Sequence, residues 1–216
     1  MDILEIMKAR HSVRQYCESK IESEKKEILA ALANECNRES GLNIQIIYEE
    51  PKCFSGMMAH YGKFSGVENY IALVGEKHVA LEEKAGYYGE RLVLKAQELG
   101  LNTCWVALTH GKSAAKIGQG EKLACIISLG YGVTQGVAHN NKPMEQICNC
   151  ASHMPDWFSR GMEAAMLAPT AMNQQKFYFT LKNETVSAKA GSGFYTKMDL
   201  GIVKYHFEAV TGRKVR

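Results

Sequence analysis

Apolar positions recur every three or four residues in several stretches of the chain, the period of helices with one buried face. Ile3, Ile6 and Met7 mark a first helix from Ile3 to Ala9, ending near Arg10-His11-Ser12. Ser23 with Glu24 to Lys26 opens a second, in which Ile28, Leu29, Leu32 and Cys36 share a face and which Gly41 stops. The strongest pattern runs from Ala80 to Leu99, through Leu81, Ala85, Tyr88, Leu92 and Ala96, with Gly100 as its C-cap. Gly86 and Gly89 lie inside that helix. Glycine weakens a helix, so these two predict the close approach of another backbone or of a ligand. Pro155-Asp156 opens a helix through Leu167 that Ala168-Pro169 terminates, because proline disfavours helix at the residue before it. Leu200 to Val210 closes the chain as a helix.

Short β-branched and apolar runs predict strands at Asn43 to Tyr48, Tyr70 to Val74, Cys104 to Leu108 and Leu123 to Leu129. Phe177 to Leu181 and Val186 to Ala190 form a hairpin around Asn183-Glu184. Residues 51 to 69 mix Pro, Gly, Ser, Met, His and aromatics without a period, which predicts a long irregular loop and a candidate lid. Helices and strands intermix without a strict βα alternation, so the expected class is α+β, organised as one domain over residues 1–216.

Composition narrows the partners. With 216 residues, 46% hydrophobic and 23% charged, the chain has the profile of a globular protein able to bury its own core. A net charge of +3 gives no bulk attraction to nucleic acid or to an anionic membrane, and no stretch is long and apolar enough to span one. The seven cysteines are odd in number and irregular in spacing, which points to reduced thiols and a cytoplasmic location. His139, Cys148, Cys150 and His153 can be drawn as a zinc site, but Cys-x-Cys is not the usual ligand spacing, and no metal is expected. Gly130-Tyr131-Gly132 lacks the following helix that a dinucleotide fingerprint needs.

Two segments carry candidate chemistry. Arg10-His11-Ser12-Val13-Arg14 places two guanidiniums, an imidazole and a hydroxyl together, a set able to hold a phosphate and a further anionic centre and equally a solvated basic turn. Ala168-Pro169-Thr170-Ala171-Met172-Asn173-Gln174-Gln175-Lys176-Phe177 follows a helix stop with side-chain amides and a hydroxyl. Such donors and acceptors suit the pyrimidine edge of a flavin, or a polar turn that caps the helix.

Together these segments resemble the nitroreductase superfamily of FMN-dependent oxidoreductases, which carry a basic Arg-x-Ser-x-Arg element and an Ala-Pro-Ser/Thr-x-x-Asn-x-Gln signature. Tyr88 to Leu92, Gly100 to Leu108, Ile126 to Gly132 and Lys142 to Glu145 extend the resemblance over most of the chain. The signature stands near the C-terminus instead of directly after the second helix, similar to a rearranged subgroup in which a helix, turn and hairpin unit, here within residues 155–216, has moved to the chain's end. Lys176-Phe177 replaces the usual Pro-Trp or Pro-Phe.

The resemblance implies a central mixed or antiparallel sheet flanked by helices, in a homodimer with two flavins at its interface. It implies that Arg10 and Ser12 hold the FMN phosphate with His11 beside them, and that Arg14 reaches the pyrimidine edge. Pro169, Thr170, Asn173 and Gln175 belong to the ring-binding signature, and the backbone of Trp105, Val106, Ala107 and Leu108 lies along the flavin. The implied activity is ping-pong hydride transfer from NADH or NADPH through flavin N5 to a nitroaromatic, quinone or similar small acceptor, with no catalytic side chain. A flavin-cleaving or dehalogenating relative, in which His60 and Tyr61 shape a closed pocket, and a flavin-binding protein without turnover are the alternatives.

Overall fold

The computed structural model of the chain describes residues 2–149 and 154–216. Strands β1 (Asn43–Ile47), β2 (Asn69–Glu76), β3 (Asn102–Val106) and β4 (Glu121–Gly130) form an antiparallel sheet in the order β1-β2-β4-β3. Alternation along the strands sorts their side chains onto two faces. Ile71, Leu73, Ile127 and Leu129 pack against helices α2 (Ser23–Ser40) and α4 (Leu81–Glu98) through Leu29 and Leu92. Tyr70, Ala72, Val74 and Ile126 face the other way, onto Phe54, Phe64 and Val67. The expected α+β class, an antiparallel sheet flanked by helices, is what the chain adopts.

That second face corrects one expectation. The stretch 51 to 69 is not a long irregular loop: it holds a 3-10 turn, Pro51–Phe54, and a short helix α3 (Met57–Tyr61). Cys53, Phe54, Ala59, Phe64 and Val67 are all buried, and the Phe54 and Phe64 rings meet edge to face at 5.2 Å. The segment is a cover for the sheet, held by the same apolar burial that holds the helices opposite.

A second core forms around α5 (Asp156–Met166), α6 (Thr196–Thr211) and the hairpin β5 (Phe177–Lys182) and β6 (Thr185–Ala190), built on Phe158, Phe179 and Phe207. The hairpin turns on Asn183 and Glu184, both at positive φ (48° and 62°), as a two-residue turn requires. The chain's end continues this small sheet: Ala188 N–H donates to the Arg216 carbonyl at 3.0 Å and Arg216 N–H to that of Val186 at 3.0 Å.

The two cores join where α6 crosses α4. A Cβ on Gly86 would sit 2.1 Å from the Met198 carbonyl oxygen, and one on Gly201 would sit 2.0 Å from that of Glu83. Each helix therefore offers the other a bare backbone at the crossing. Gly89 makes room for a side chain instead, its Cβ position lying 2.6 Å from Cη2 of Trp105. Trp105 in turn packs against both cores.

Boundaries differ from the sequence expectation at two places that shape the site. β3 ends at Val106, opposite Ile126, so Ala107 and Leu108 lie beyond the ladder rather than in the strand. The last helix begins at Thr196, a turn earlier than expected, after Tyr195 at φ 55°.

Candidate functional site

The basic segment follows α1 (Ile3–Ala9) and is fastened to β3: Ser12 bridges Thr103, and Val13 N–H donates to the Thr103 carbonyl at 3.0 Å. An extended segment points alternate residues to opposite sides. Ser12 and Arg14 therefore open into one cavity, of about 120 Å³, while Val13 enters the core behind and His11 faces Gly136. Arg14 is exposed and forms no ion pair among the described residues.

Three further elements complete the cavity. The end of β3 supplies Cys104, Trp105 and Ala107, with Cys125 of β4 beside them. Burial pushes both thiols up, Cys125 to about 12, so neither is an ionised nucleophile at neutral pH. The second wall is the turn after α5, where Pro169 and Thr170 lead into a 3-10 turn, Ala171–Asn173. Met198, Asp199 and Ile202, which share one face of α6, form the third together with Tyr195, the residue just before the helix.

The turn after α5 is strained. Met172, Asn173 and Gln175 all take positive φ (52°, 52° and 44°), a region that costs side-chain-bearing residues about 1–3 kcal/mol each. Asp199 holds it: its Oδ1 accepts from Ala171 N–H at 2.9 Å and its Oδ2 from Gln174 Nε2 at 2.8 Å. Burial raises the Asp199 carboxyl from its ordinary value to about 6 despite those two donors.

Of the residues singled out in the sequence, the structure brings Ser12, Arg14, Trp105, Ala107, Pro169 and Thr170 around this cavity. The others lie elsewhere. Arg10 is 3% exposed and borders a separate cavity with His11, His139 and Leu167. Partial burial and the adjacent Arg10 cation push His11 below its ordinary range. Val106 is in the core and Leu108 points outward. Asn173 and Gln175 spend their amides on the chain itself: both donate to the Asn140 carbonyl at 2.8 Å, and Gln175 Oε1 accepts from Lys142 N–H at 2.9 Å.

The sequence reading passed over Cys104, Cys125, Met172, Tyr195, Met198, Asp199 and Ile202. Tyr195, Met198 and Asp199 precede Leu200, where the sequence pattern starts the last helix, so only Ile202 falls within the expected element. The zinc drawing falls partly outside the described residues, at Cys150 and His153. His139 Nε2 lies 2.9 Å from the Met166 carbonyl oxygen, and the Cys148 thiol 3.4 Å from that of Met144. At the C-terminus Arg213 stacks over Trp157 at 3.9 Å and Lys214 pairs with Glu208 at 2.7 Å. No helix among the described residues is long and apolar enough to cross a membrane.

The fold is shared with known structures. One from Thermotoga maritima MSB8, described as a "putative nitroreductase", superposes with a TM-score of 0.73 over 97% of this chain and 83% of its own, at 24% identity. A structure from Desulfovibrio desulfuricans, described as a "putative nitroreductase in complex with FMN", gives 0.55 over 72% of this chain and 98% of its own, at 14% identity. One from Bacteroides thetaiotaomicron VPI-5482, described as "Putative NADH dehydrogenase/NAD(P)H nitroreductase", gives 0.53 over 67% and 95%, at 16% identity. These identities establish likeness of fold. No curated protein matches the chain. The model of the family described as "Putative TM nitroreductase" matches residues 2–211, and the chain belongs to that nitroreductase family.

Proposed function

We propose that the protein is an FMN-dependent NAD(P)H oxidoreductase that reduces nitroaromatics, quinones or similar small acceptors. The observation that carries this reading is that Arg14, which forms no ion pair among the described residues, and Ser12 line one cavity with the apolar Trp105, Ala107, Pro169, Met198 and Ile202 and the polar Thr170, Tyr195 and Asp199. A guanidinium and a hydroxyl in a cavity with apolar wall residues suit a planar ring with acceptor groups on one edge. The neighbour solved with FMN and the neighbour named for NAD(P)H support the choice of cofactor and donor.

Bound flavin would supply the two-electron chemistry, taking hydride from NADH or NADPH and passing it to the acceptor. The chain's part is placement. Ser12 and Arg14 offer their donors to the acceptor edge, and Trp105, Pro169 and Thr170 confine the ring. Ala107 N–H stands beyond the strand ladder as a further donor, and Arg10 and His11 support the basic segment from its other side. Cys104 and Cys125, as neutral thiols, form inert wall, in keeping with a reaction that needs no side-chain nucleophile. Donor and acceptor use the cavity in turn, which predicts ping-pong kinetics.

We read residues 1–216 as one domain, in which the relocated unit 155–216 supplies two of the cavity walls. The cavity is smaller than the roughly 300 Å³ and upward of sites that enclose a drug-sized ligand. One chain would therefore cover a flavin only in part, which supports a homodimer whose second copy completes the site. The unpaired thiols among the described cysteines support a cytoplasmic setting. The test is the absorption spectrum of the purified protein after reconstitution with FMN, taken without oxygen before and after NADH or NADPH. Bleaching is expected. A flavin spectrum that persists with both nucleotides would leave binding without reduction, and failure to take up FMN would sink the reading.

A further inference from the structure

Behind the cavity wall lies a polar chain that the proposed function does not use. Glu90 of α4 and His206 of α6 are both 0% exposed. Glu90 Oε2 accepts from the Trp105 indole Nε1–H at 2.9 Å, and its Oε1 lies 2.8 Å from His206 Nε2. His206 Nδ1 lies 2.9 Å from the Ala164 carbonyl oxygen of α5. Four separate elements therefore meet through one carboxylate and one imidazole.

The partners fix the number of protons. A carbonyl oxygen only accepts, so His206 Nδ1 carries a hydrogen. At 2.8 Å, an ionised carboxylate facing the lone pair of a neutral imidazole would set acceptor against acceptor. One proton must lie between Glu90 Oε1 and His206 Nε2, whether written as carboxylate with imidazolium or as carboxylic acid with imidazole. The pair is then neutral as a unit. Glu90's remaining oxygen is committed to the indole.

Trp105 is also fixed from below. Its ring rests on Gly89, one residue before Glu90, where any Cβ would strike Cη2. The same turn of α4 thus supplies the seat for the ring and the acceptor for its N–H, and a ring held at both points has one orientation. Trp105 is also one of the residues that line the cavity.

We propose that Glu90, sharing one proton with His206, is a positioning residue that locks the Trp105 indole as the wall against which a planar ligand lies. The identity of the ligand as FMN rests on the proposed function; the locking of Trp105 does not.

Two readouts test these parts separately. The chain has only two tryptophans, so the indole N–H signals of Trp105 and Trp157 in a nitrogen–proton correlation spectrum are readily assigned by substitution. FMN affinity is measured alongside. Glu90→Gln preserves the count, since its amide oxygen can accept from the indole while its N–H donates to a neutral His206. It should keep the slow exchange of the Trp105 N–H and leave FMN affinity within a few-fold. Glu90→Leu leaves two buried donors or acceptors unpaired and should move the Trp105 signal, speed its exchange, and weaken FMN binding by about tenfold or more.

A folded Glu90→Leu protein with unchanged Trp105 signal and FMN affinity overturns the proposal, and a Glu90→Gln protein as impaired as Glu90→Leu overturns the proton count. If Glu90→Leu does not fold, Trp105→Phe decides: it deletes the anchored N–H and leaves the Glu90–His206 pair, and unchanged FMN affinity then counts against the lock. If the native protein binds no FMN while the Trp105 signal responds to Glu90 as described, the lock stands and the proposed function falls.

Discussion

Asp199 accepts the Ala171 N–H at 2.9 Å, and that bond ties the first turn of α6 to the strained turn that closes the cavity. The two residues lie on different walls of the same space. Asp199 is buried for this task, and burial makes its charged form expensive.

The consequence is a pH dependence of stability. The Asp199 carboxyl is raised from 3.8 to about 6, so between those values the folded state holds more protons than the unfolded state. Stability contributed by this group therefore falls as pH rises from about 4 to about 6, by roughly 3 kcal/mol at about 1.4 kcal/mol per pKa unit. Asp199→Asn should keep an acceptor for Ala171 and flatten that slope. Denaturant melts of both proteins at pH 4, 5, 6 and 7 measure it, and parallel curves would remove the account of Asp199.

The crossing of α4 and α6 offers a packing test. Gly201→Ala would put a methyl 2.0 Å from the Glu83 carbonyl oxygen and 2.7 Å from Tyr87 N, both backbone atoms that cannot step aside. A loss of about 3 kcal/mol is expected, or roughly 6–12 °C in melting temperature for a chain this long. Gly56→Ala is the control, since nothing lies within 4 Å of its Cβ and its φ is −88°. Equal melting temperatures for the two variants would mean the helices can separate freely.

Much of this arrangement was legible in one dimension, and the limits have physical causes. The period of Leu81, Ala85, Leu92 and Ala96 gave α4, and two glycines inside so regular a helix announced that something approaches it. What approaches could not be read, because Gly201 and Trp105 reach α4 only through the tertiary fold. The basic segment 10–14 stood out by composition. Which of its residues meet the cavity depends on the Ser12–Thr103 bridge, which sets the side each faces. Asp199 is hidden in the sequence because it stands just before Leu200, where the pattern starts the last helix, and an acidic residue at a helix start reads as a favourable surface charge. Nothing in its neighbours reveals that Ala171 N–H lies across from it.

Gln175 is where motif and geometry part. Its amide is 3% exposed and is consumed by Asn140, Lys142 and Asn173. Gln175→Leu should therefore cost about 1–3 kcal/mol of stability by stranding those groups. FMN affinity should change by less than about threefold, or roughly 0.6 kcal/mol. A variant with native stability and a large loss of FMN would return Gln175 to the ring-binding set.

Arg14 is the converse case, a side chain with little to do for the fold. It is exposed and makes no ion pair among the described residues, so Arg14→Ala should leave stability within about 0.5 kcal/mol. A charge-assisted bond to the acceptor edge of a ligand is worth about 1.5–3 kcal/mol, which predicts FMN binding weaker by about tenfold to a hundredfold. The flavin potential should fall as well, because a cation near that edge favours the reduced, more negative form. Arg14→Lys separates charge from shape: it should restore most of the potential, which follows the charge, and less of the affinity, which needs the planar fork. If Arg14→Ala binds FMN as tightly as the native chain and at the same potential, the cofactor does not lie along this wall.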